Sequence, residues 1–231
     1  MLEPLLLLPG MMCDARLFTP QIAHFEADRE VIVADLTGAD SIAEIAQQVL
    51  AKAPDRFAML GLSMGGIVAM EIMRIAAHRV TRLALLDTNP KAELEQTQAA
   101  REPQMERVKN GGLYRVMQEE LKPRYLADGP QKRDVLDICM DMAIDLGETV
   151  FVRQSRALQK RPDQQMALSK VDVPTLILMG EEDQLCPLDR HQLMAELISH
   201  AHLVIVSKAG HMPCLEQPIV TNKAIDTWLQ Q

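Results

Sequence analysis

The chain has 231 residues, a length that suits one α/β domain with an insertion and is too short for two full domains joined by a linker. Its composition, with 48% hydrophobic and 24% charged residues, is that of an ordinary globular protein and excludes extended disorder. The formal net charge of −8 at pH 7 disfavours nucleic acid as a partner, because binding to phosphates needs clustered Lys and Arg side chains.

The cysteines and the apolar N-terminus point to an intracellular protein. Four cysteines lie far apart, without CxxC spacing, at Cys13, Cys139, Cys186 and Cys214. This spacing indicates neither a zinc knuckle nor a redox pair, so we expect free thiols in a reducing compartment. The apolar run Leu5–Leu8 has no basic segment before it and ends at Pro9-Gly10, which is typical of a strand rather than a signal peptide. No run reaches the roughly 18 apolar residues of a membrane span, and we expect a cytoplasmic protein with no membrane partner.

Short apolar runs alternate with helical patterns along most of the chain. The six runs are Leu5–Leu8, Val31–Leu36, Phe57–Leu62, Leu83–Asp87, Thr175–Met179 and Leu203–Val206. Such runs are typical of parallel strands that helices cover on both faces. Helices are expected over Ser41–Ala53, with Ser41 as N-cap and Glu44 three residues later, and over Gly65–Ala77. The pattern predicts an α/β fold with an open, mostly parallel sheet of about six strands.

The alternation is interrupted once, between Pro90 and Val173, by about eighty residues with helical spacing and no convincing strand. Helices are expected near Lys91–Lys109, Leu113–Tyr125, Gln131–Asp145 and Glu148–Lys160, with breaks at Gly111-Gly112, Asp128-Gly129-Pro130 and Gly147. Ligands bind at the carboxyl ends of strands in open α/β sheets, where this segment leaves the sheet. The sequence therefore predicts a core of residues 1–90 and 171–231, and a helical cap of residues 91–170.

The most specific motif is Gly61-Leu62-Ser63-Met64-Gly65, between a predicted strand and a predicted helix. A nucleophile elbow requires this context, because a serine on a sharp strand-to-helix turn projects from the sheet edge. The two glycines leave room for the neighbouring strand and helix. The turn also directs the backbone N–H of Met64 at an attacked carbonyl, which supplies half of an oxyanion hole. The alternative interpretation is a glycine-rich turn capped by a serine.

A nucleophilic serine needs a histidine as base and an acid to orient that histidine. With a nucleophile elbow the three follow in the order Ser, acid, His. His211 fits the last place, because it follows the final predicted strand and precedes a helix expected from about Leu215 to Leu229. Five other histidines are expected on helices or at strand starts, away from the carboxyl edge, and to be structural: His24, His78, His191, His200 and His202.

The acid is expected directly after the strand Thr175–Met179, where Glu181, Glu182 and Asp183 lie together. Asp183 is our choice and Glu182 the fallback. A role in surface ion pairs is the alternative for the two glutamates.

Together these motifs resemble the α/β-hydrolase superfamily over nearly the whole chain. The residues that carry the resemblance are Gly61 to Gly66, Gly180-Glu181-Glu182-Asp183 with Pro187, Gly210-His211, Glu216-Gln217-Pro218 and Trp228-Leu229. The sequence is most similar to the esterase-like branch with a helical cap between the sixth and seventh strands. The resemblance implies Asp183 as the acid and the absence of the two N-terminal strands of larger members. Some members carry the acid one strand earlier, which keeps Asp87 as an alternative.

One departure concerns the second oxyanion donor. The family usually has His-Gly after its first core strand, whereas this chain has Pro9-Gly10. The residue after that glycine normally supplies the second N–H, so the resemblance implies Met11, with Met12 as an alternative. Because the donor is a backbone group, the loss of the histidine need not abolish the oxyanion hole. A plain turn is the other interpretation.

The resemblance implies a serine hydrolase that cleaves an ester-like bond of a small or medium, largely apolar substrate. Ser63 would form an acyl-enzyme, His211 would relay the proton, Asp183 would hold the imidazole, and the Met11 and Met64 amides would stabilise the oxyanion. No cofactor and no metal are implied, because no His, Asp and Glu cluster has ligand spacing.

Several alternatives stay open at the level of sequence. The same triad serves thioesterases, lactonases, C–C bond hydrolases, cofactor-free haloperoxidases and some lyases. A second class is a non-catalytic ligand-binding homologue that keeps the fold. A homodimer formed through the outer face of the cap is a further alternative, with a small-molecule substrate as the expected partner.

Overall fold

The computed structural model describes residues 2–231, and its centre is a six-stranded parallel sheet. The strands are β1 (Leu5–Leu8), β2 (Val31–Val33), β3 (Phe57–Leu62), β4 (Val80–Leu86), β5 (Thr175–Gly180) and β6 (His202–Val206). Their order is β2-β1-β3-β4-β5-β6, and every neighbouring pair is parallel. The predicted open parallel sheet of about six strands is confirmed.

Helices and short turns connect the strands. The α-helices are α1 (Thr19–Phe25), α2 (Ile42–Lys52), α3 (Met64–Ala76), α4 (Glu95–Arg107), α5 (Leu113–Arg115), α6 (Lys132–Gln159), α7 (Gln165–Leu168), α8 (Leu188–Leu197), α9 (Pro213–Glu216) and α10 (Pro218–Leu229). Short 3-10 turns lie at Ala15–Phe18, Ala77–Arg79 and Lys122–Arg124, and π-turns at Val108–Gly112 and Val116–Leu121. Across residues 2–231, no helix has both the length and the apolar content to cross a membrane.

The four leucines of β1 show why the strands have continuous apolar sequences. Leu6 and Leu8 belong to a buried core shared with α2 and α3, whereas Leu5 and Leu7 belong to a second core shared with α1 and α10. Successive side chains of a strand point to opposite faces of the sheet. The sheet is therefore covered by helices on both faces, which explains why all four positions of β1 are apolar.

Local signals fix several helix ends. The Ser41 hydroxyl accepts a hydrogen bond from the Glu44 N–H at 3.2 Å, so the predicted N-cap of α2 is confirmed. The closing helix differs from the prediction, because it is divided into α9 and α10 at Gln217. Pro218 has no N–H to continue the first helix, and it begins the second one instead.

Between β4 and β5 the described chain is helical and contains no strand. We call residues 91–170 the insertion segment. The two helices predicted on either side of Gly147 run on as α6, but Gly147 itself has φ 79° and ψ 177°, so the predicted break is present. The helix predicted over Leu113–Tyr125 is present as an irregular one, in which α, π and 3-10 turns follow one another from Leu113 to Arg124. α4 begins at Glu95, four residues later than expected.

The backbones of β1, β3 and α3 approach one another very closely at two glycines. A Cβ atom on Gly65 would lie 1.9 Å from the carbonyl oxygen of Leu8, and one on Gly61 would lie 2.4 Å from the carbonyl oxygen of Gly65. No side chain fits at either position. The glycines therefore allow the first turn of α3 to pack directly on the ends of two strands.

Gly65→Ala tests this packing. The substitution should lower the free energy of unfolding by about 3 kcal/mol, because backbone atoms must move apart to admit the methyl group. Urea unfolding measures the loss. Gly129→Ala is the matched control, since a Cβ atom there meets only the Gln131 side chain at 3.5 Å. Equal stability of the two variants would contradict the close approach.

Candidate active site

Ser63 lies on the turn between β3 and α3 and has an unusual backbone conformation. Its φ is 54° and its ψ is −115°, a region that non-glycine residues rarely adopt. The neighbouring strand holds this turn on both sides of the peptide. The Ser63 N–H donates to the Leu86 carbonyl at 2.9 Å, and the Ser63 carbonyl accepts from the Thr88 hydroxyl at 2.7 Å. Strain of this kind persists only where the surroundings fix it, and it concentrates at functional sites.

His211 and Asp183 come together at the carboxyl edge of the sheet. Nδ1 of His211 lies 2.9 Å from Oδ2 of Asp183, and both side chains are buried. The other carboxylate oxygen of Asp183 accepts hydrogen bonds from the N–H groups of Leu185, at 2.8 Å, and Cys186, at 3.1 Å. The carboxylate is therefore fixed in orientation and can hold the imidazole in one tautomer.

The electrostatics of Asp183 favour its charged form. Burial alone would raise the pKa of this carboxyl, but the charge and hydrogen bond of His211, together with the two backbone amides, lower the pKa below its ordinary value. Asp183 therefore stays ionised beside the imidazole.

The two alternative acids do not contact His211 among the described residues. Glu182 has an exposed side chain. Asp87 is fully buried, and its Oδ1 accepts from the Gly180 N–H at 2.8 Å. Burial raises the pKa of Asp87 well above its usual range, and the adjacent charge of Asp183 raises it further. Both effects favour the neutral form of Asp87, which holds the Gly180 amide and does not contact His211 in the described chain.

The loop that carries His211 is held by groups that the sequence analysis missed. The His211 N–H donates to the Tyr125 carbonyl at 2.6 Å. The buried carboxylate of Glu216 accepts from the N–H groups of Gly210 (2.9 Å), Met212 (3.0 Å) and Ala127 (2.8 Å). The sequence analysis used Glu216 as part of the family resemblance but predicted no function for it. It fixes the loop on both sides of the histidine and ties it to the insertion segment.

The backbone amides of Met11 and Met64 are free to bind an oxyanion. Met64 is the first residue of α3, where N–H groups have no partner within the helix. Neither amide has an acceptor among residues 2–231. The N–H of Met12, in contrast, donates to Oε1 of Gln154 at 2.8 Å. Met12 is therefore not available as the alternative second donor.

Ser63 and His211 line one cavity of about 320 Å³. The part of the chain that the structure describes has no hydrogen bond between the Ser63 hydroxyl and His211, a contact that is often long in unliganded sites. Apolar side chains form much of the wall: Met11, Ile67, Leu121, Leu158, Leu185 and Met212. Cationic side chains line it as well: Lys91, Arg101, Arg124, Arg161 and Arg190.

One grouping near the site has the residue types of a metal centre. Ligand atoms of Asp183, Cys186 and His211 lie within 4.8 Å of one another. Burial raises the pKa of the Cys186 thiol well above its ordinary value, with the charge of Asp183 adding to the effect. A protonated thiol is a poor metal ligand. The mutual hydrogen bond of the other two residues explains their arrangement without an ion. All four cysteines are free, as expected.

His191 lies closer to this edge than the sequence predicted. It is part of α8 and fully buried, and its Nε2 accepts from the Thr88 N–H at 3.3 Å. Thr88 in turn holds the Ser63 carbonyl, so His191 supports the serine turn from behind. Burial lowers the pKa of His191 to about 4. The expected structural role fits, but the expected position away from the edge is wrong.

His191→Gln should change how stability depends on pH. A histidine with a folded pKa of about 4 stabilises the fold fully above its unfolded pKa of about 6.5, and this stability is lost as pH falls between the two values. The wild type should therefore lose about 3 kcal/mol more than the variant between pH 7 and pH 4. Urea unfolding across this range gives the difference. Parallel profiles of the two proteins would contradict a buried neutral histidine.

The fold and site define a class of protein. A strained serine between strand and helix, a buried His-Asp pair at the same edge and a parallel sheet are the features of α/β hydrolases. The chain belongs to the alpha/beta hydrolase family, whose model matches residues 5–224.

Solved structures agree with this assignment. An esterase from Thermogutta terrifontis, described with malate bound, is 28% identical, with a TM-score of 0.91 over 99% of this chain and 89% of that chain. The enol-lactonase from Burkholderia xenovorans LB400 is 19% identical, with a TM-score of 0.87 over 100% of this chain and 92% of that chain. MenH from S. aureus is 22% identical, with a TM-score of 0.86 over 99% of this chain and 93% of that chain. The family and the esterase support hydrolase activity in general terms.

Proposed function

We propose that the protein is a serine hydrolase that cleaves an ester-like bond of a small or medium substrate through an acyl-enzyme on Ser63. One observation carries the proposal. His211, which is hydrogen-bonded to Asp183 at 2.9 Å, lines the same cavity as Ser63 on its strained turn. A nucleophile, a base and an orienting acid around one cavity are the parts that acyl transfer needs.

The reaction proceeds in two balanced halves. In the first, Oγ of Ser63 attacks the carbonyl carbon while Nε2 of His211 takes the hydroxyl proton, and Asp183 stabilises the imidazolium. The amides of Met11 and Met64 bind the oxyanion. The ester C–O bond then breaks, and the alcohol leaves with the proton from His211. In the second half, water attacks the acyl-enzyme and His211 takes its proton. The bond to Ser63 then breaks as His211 returns that proton to Oγ, which releases the acid and restores the free enzyme.

The cavity supports the size and the apolar character of the acyl group. Its volume of about 320 Å³ lies at the small end of ligand pockets, and aliphatic and methionine side chains form much of the wall. Methionines adapt their shape to different ligands. The similar esterase from Thermogutta terrifontis, which was described with malate bound, supports an ester as the reacting group and a small ligand.

The insertion segment is proposed to act as a cap over this site. Many of its residues line the cavity together with Ser63 and His211, among them Leu121, Tyr125, Leu158 and Arg161. A cover that excludes water strengthens every electrostatic interaction in the site. The cap would therefore shape the acyl pocket and protect the acyl-enzyme from solvent on that side.

Labelling with a fluorophosphonate tests the nucleophile. Intact mass should show one adduct on the wild type and none on Ser63→Ala, because only an activated serine attacks phosphorus readily. A panel of p-nitrophenyl esters of increasing acyl length, run beside it, gives the pocket size from the chain-length optimum. Labelling without turnover of any ester would favour a ligand-binding homologue. Absence of both labelling and turnover would refute the proposed triad.

Substitution of the acids tests the role of Asp183. Asp183→Asn should lower kcat by about 10³ to 10⁴, because the imidazole loses its tautomer and the stabilisation of its charged form. Glu182→Gln is the matched control, since its exposed carboxylate does not contact His211. Steady-state kinetics on the best ester of the panel measure both. The reverse result would move the acid to Glu182.

A further inference from the structure

The cavity lining has an excess of cationic side chains, whereas the whole chain has an excess of acidic ones. The whole chain has 24 Lys and Arg residues against 32 Asp and Glu residues. Five cationic side chains line the cavity: Lys91, Arg101, Arg124, Arg161 and Arg190. Glu93 is the single acidic residue among the lining residues of the described chain. A cleft with one predominant sign of charge concentrates ligands of the opposite sign.

Two of these arginines share one buried carboxylate. Oε1 and Oε2 of Glu93 accept from Nη2 and Nε of Arg101, at 2.7 Å and 2.5 Å, and Oε1 also accepts from Nη1 of Arg161 at 2.9 Å. The exposed fractions of the side chains are 2% for Glu93, 15% for Arg101 and 11% for Arg161. Two guanidinium groups against one carboxylate leave one unbalanced positive charge in a mostly buried place.

The same two guanidinium groups keep donors without acceptors. Nε of Arg161 donates to the Lys91 carbonyl at 3.0 Å, and its Nη1 is used by Glu93, but its Nη2 has no acceptor among residues 2–231. Nη1 of Arg101 has no acceptor there either. Both residues line the cavity, so these N–H groups are placed to receive a ligand.

A buried, unbalanced cation is costly unless a counter-charge accompanies it. Burial lowers the pKa of Arg161 in spite of the adjacent Glu93, and the charge of Arg101 lowers it further. An anionic ligand would offset this cost. One unbalanced charge in the cluster matches a monoanionic carboxylate, and guanidinium groups bind carboxylates with two parallel hydrogen bonds.

We propose that the substrate is an ester with a free carboxylate on its acyl chain, the half-ester of a dicarboxylic acid, and that Arg101 and Arg161 bind that carboxylate. This inference rests on the proposed hydrolase function and names its substrate class. The apolar wall then contacts the methylene groups between the two ends of the acyl chain. Hydrolysis releases an alcohol and a dicarboxylate.

A pair of substrates that differ only in charge tests the inference. Monomethyl glutarate carries a terminal carboxylate, and its monoamide, methyl glutaramate, has nearly the same shape without the charge. Release of methanol, followed by proton NMR, gives kcat/KM for each. We expect the wild type to prefer the anionic ester by at least about 10-fold, the size expected for one charge-assisted hydrogen bond. A preference for the amide, or none, would overturn the inference and leave the hydrolase proposal intact.

Single substitutions test which side chains cause the preference for the anionic ester. Arg161→Met should remove most of the preference for the anionic ester, mainly through KM. Far-UV circular dichroism and the Tm of the variant report whether it is folded. Lys91→Met, which breaks no ion pair in the described chain, is the second variant and should reduce the preference in part. Arg133→Met is the charge-matched control, because its side chain is 91% exposed and lies outside this cavity. An unchanged preference in Arg161→Met would overturn the assignment.

Ligand binding separates this inference from the hydrolase proposal. If no ester is turned over, glutarate should still raise the Tm of the wild type and of Ser63→Ala, but not that of Arg161→Met. Glutaramide serves as the neutral comparison. Equal effects of glutarate and glutaramide would refute the carboxylate site, whatever the outcome of the labelling experiment.

Discussion

The site depends first on the contact between two backbones where α3 begins. The peptide of Gly65 lies against the Leu8 carbonyl at a distance that leaves no room for even a methyl group. This contact brings the first turn of the helix, with the Met64 amide, beside the loop that leaves β1 and carries the Met11 amide, the two donors of the proposed oxyanion hole. Ser63, the residue before α3, lies at the same place and has a φ of 54°. The close approach at Gly65 and the strained backbone of Ser63 therefore occur on the same turn between β3 and α3.

The other half of the site depends on a carboxylate that pairs with no cation in the described chain. Glu216 uses its oxygens for backbone N–H groups on both sides of His211 and for one in the insertion segment. Asp183 is held in a similar way. One of its carboxylate oxygens is hydrogen-bonded to the imidazole of His211, and the other accepts from two backbone N–H groups. Backbone amides are donors that no side-chain rotation can remove, so both acids are held by rigid partners. The histidine is therefore oriented before any substrate arrives.

Much of this arrangement could be predicted from the sequence, and the rest has identifiable reasons for being missed. Buried parallel strands have continuous apolar sequences, so the sheet could be predicted. A nucleophile elbow needs glycines at fixed positions, so Ser63 could be predicted as the candidate nucleophile. The choice of Asp183 over its neighbours needed the family resemblance. The contact of Tyr125 with the histidine loop uses its carbonyl, which every residue has, and leaves no trace in the sequence. The cluster of Glu93, Arg101 and Arg161 joins residues 8 and 68 positions apart, which periodicity cannot connect.

The hydrogen bonds between the insertion segment and the core restrict how a ligand can enter. The Tyr125 carbonyl binds the histidine loop directly, the Ala127 amide binds it through Glu216, and the Gln154 side chain holds the amide of Met12, next to the proposed oxyanion donor Met11. A hinge motion that lifted these residues would dismantle the histidine loop and loosen the oxyanion loop at once. The insertion segment therefore supports the histidine loop and also supplies cationic side chains to the cavity wall. These hydrogen bonds and the charge of the cavity come from different residues of the same segment, so a substitution at Lys91 changes the charge of the cavity and leaves the support of the histidine loop in place.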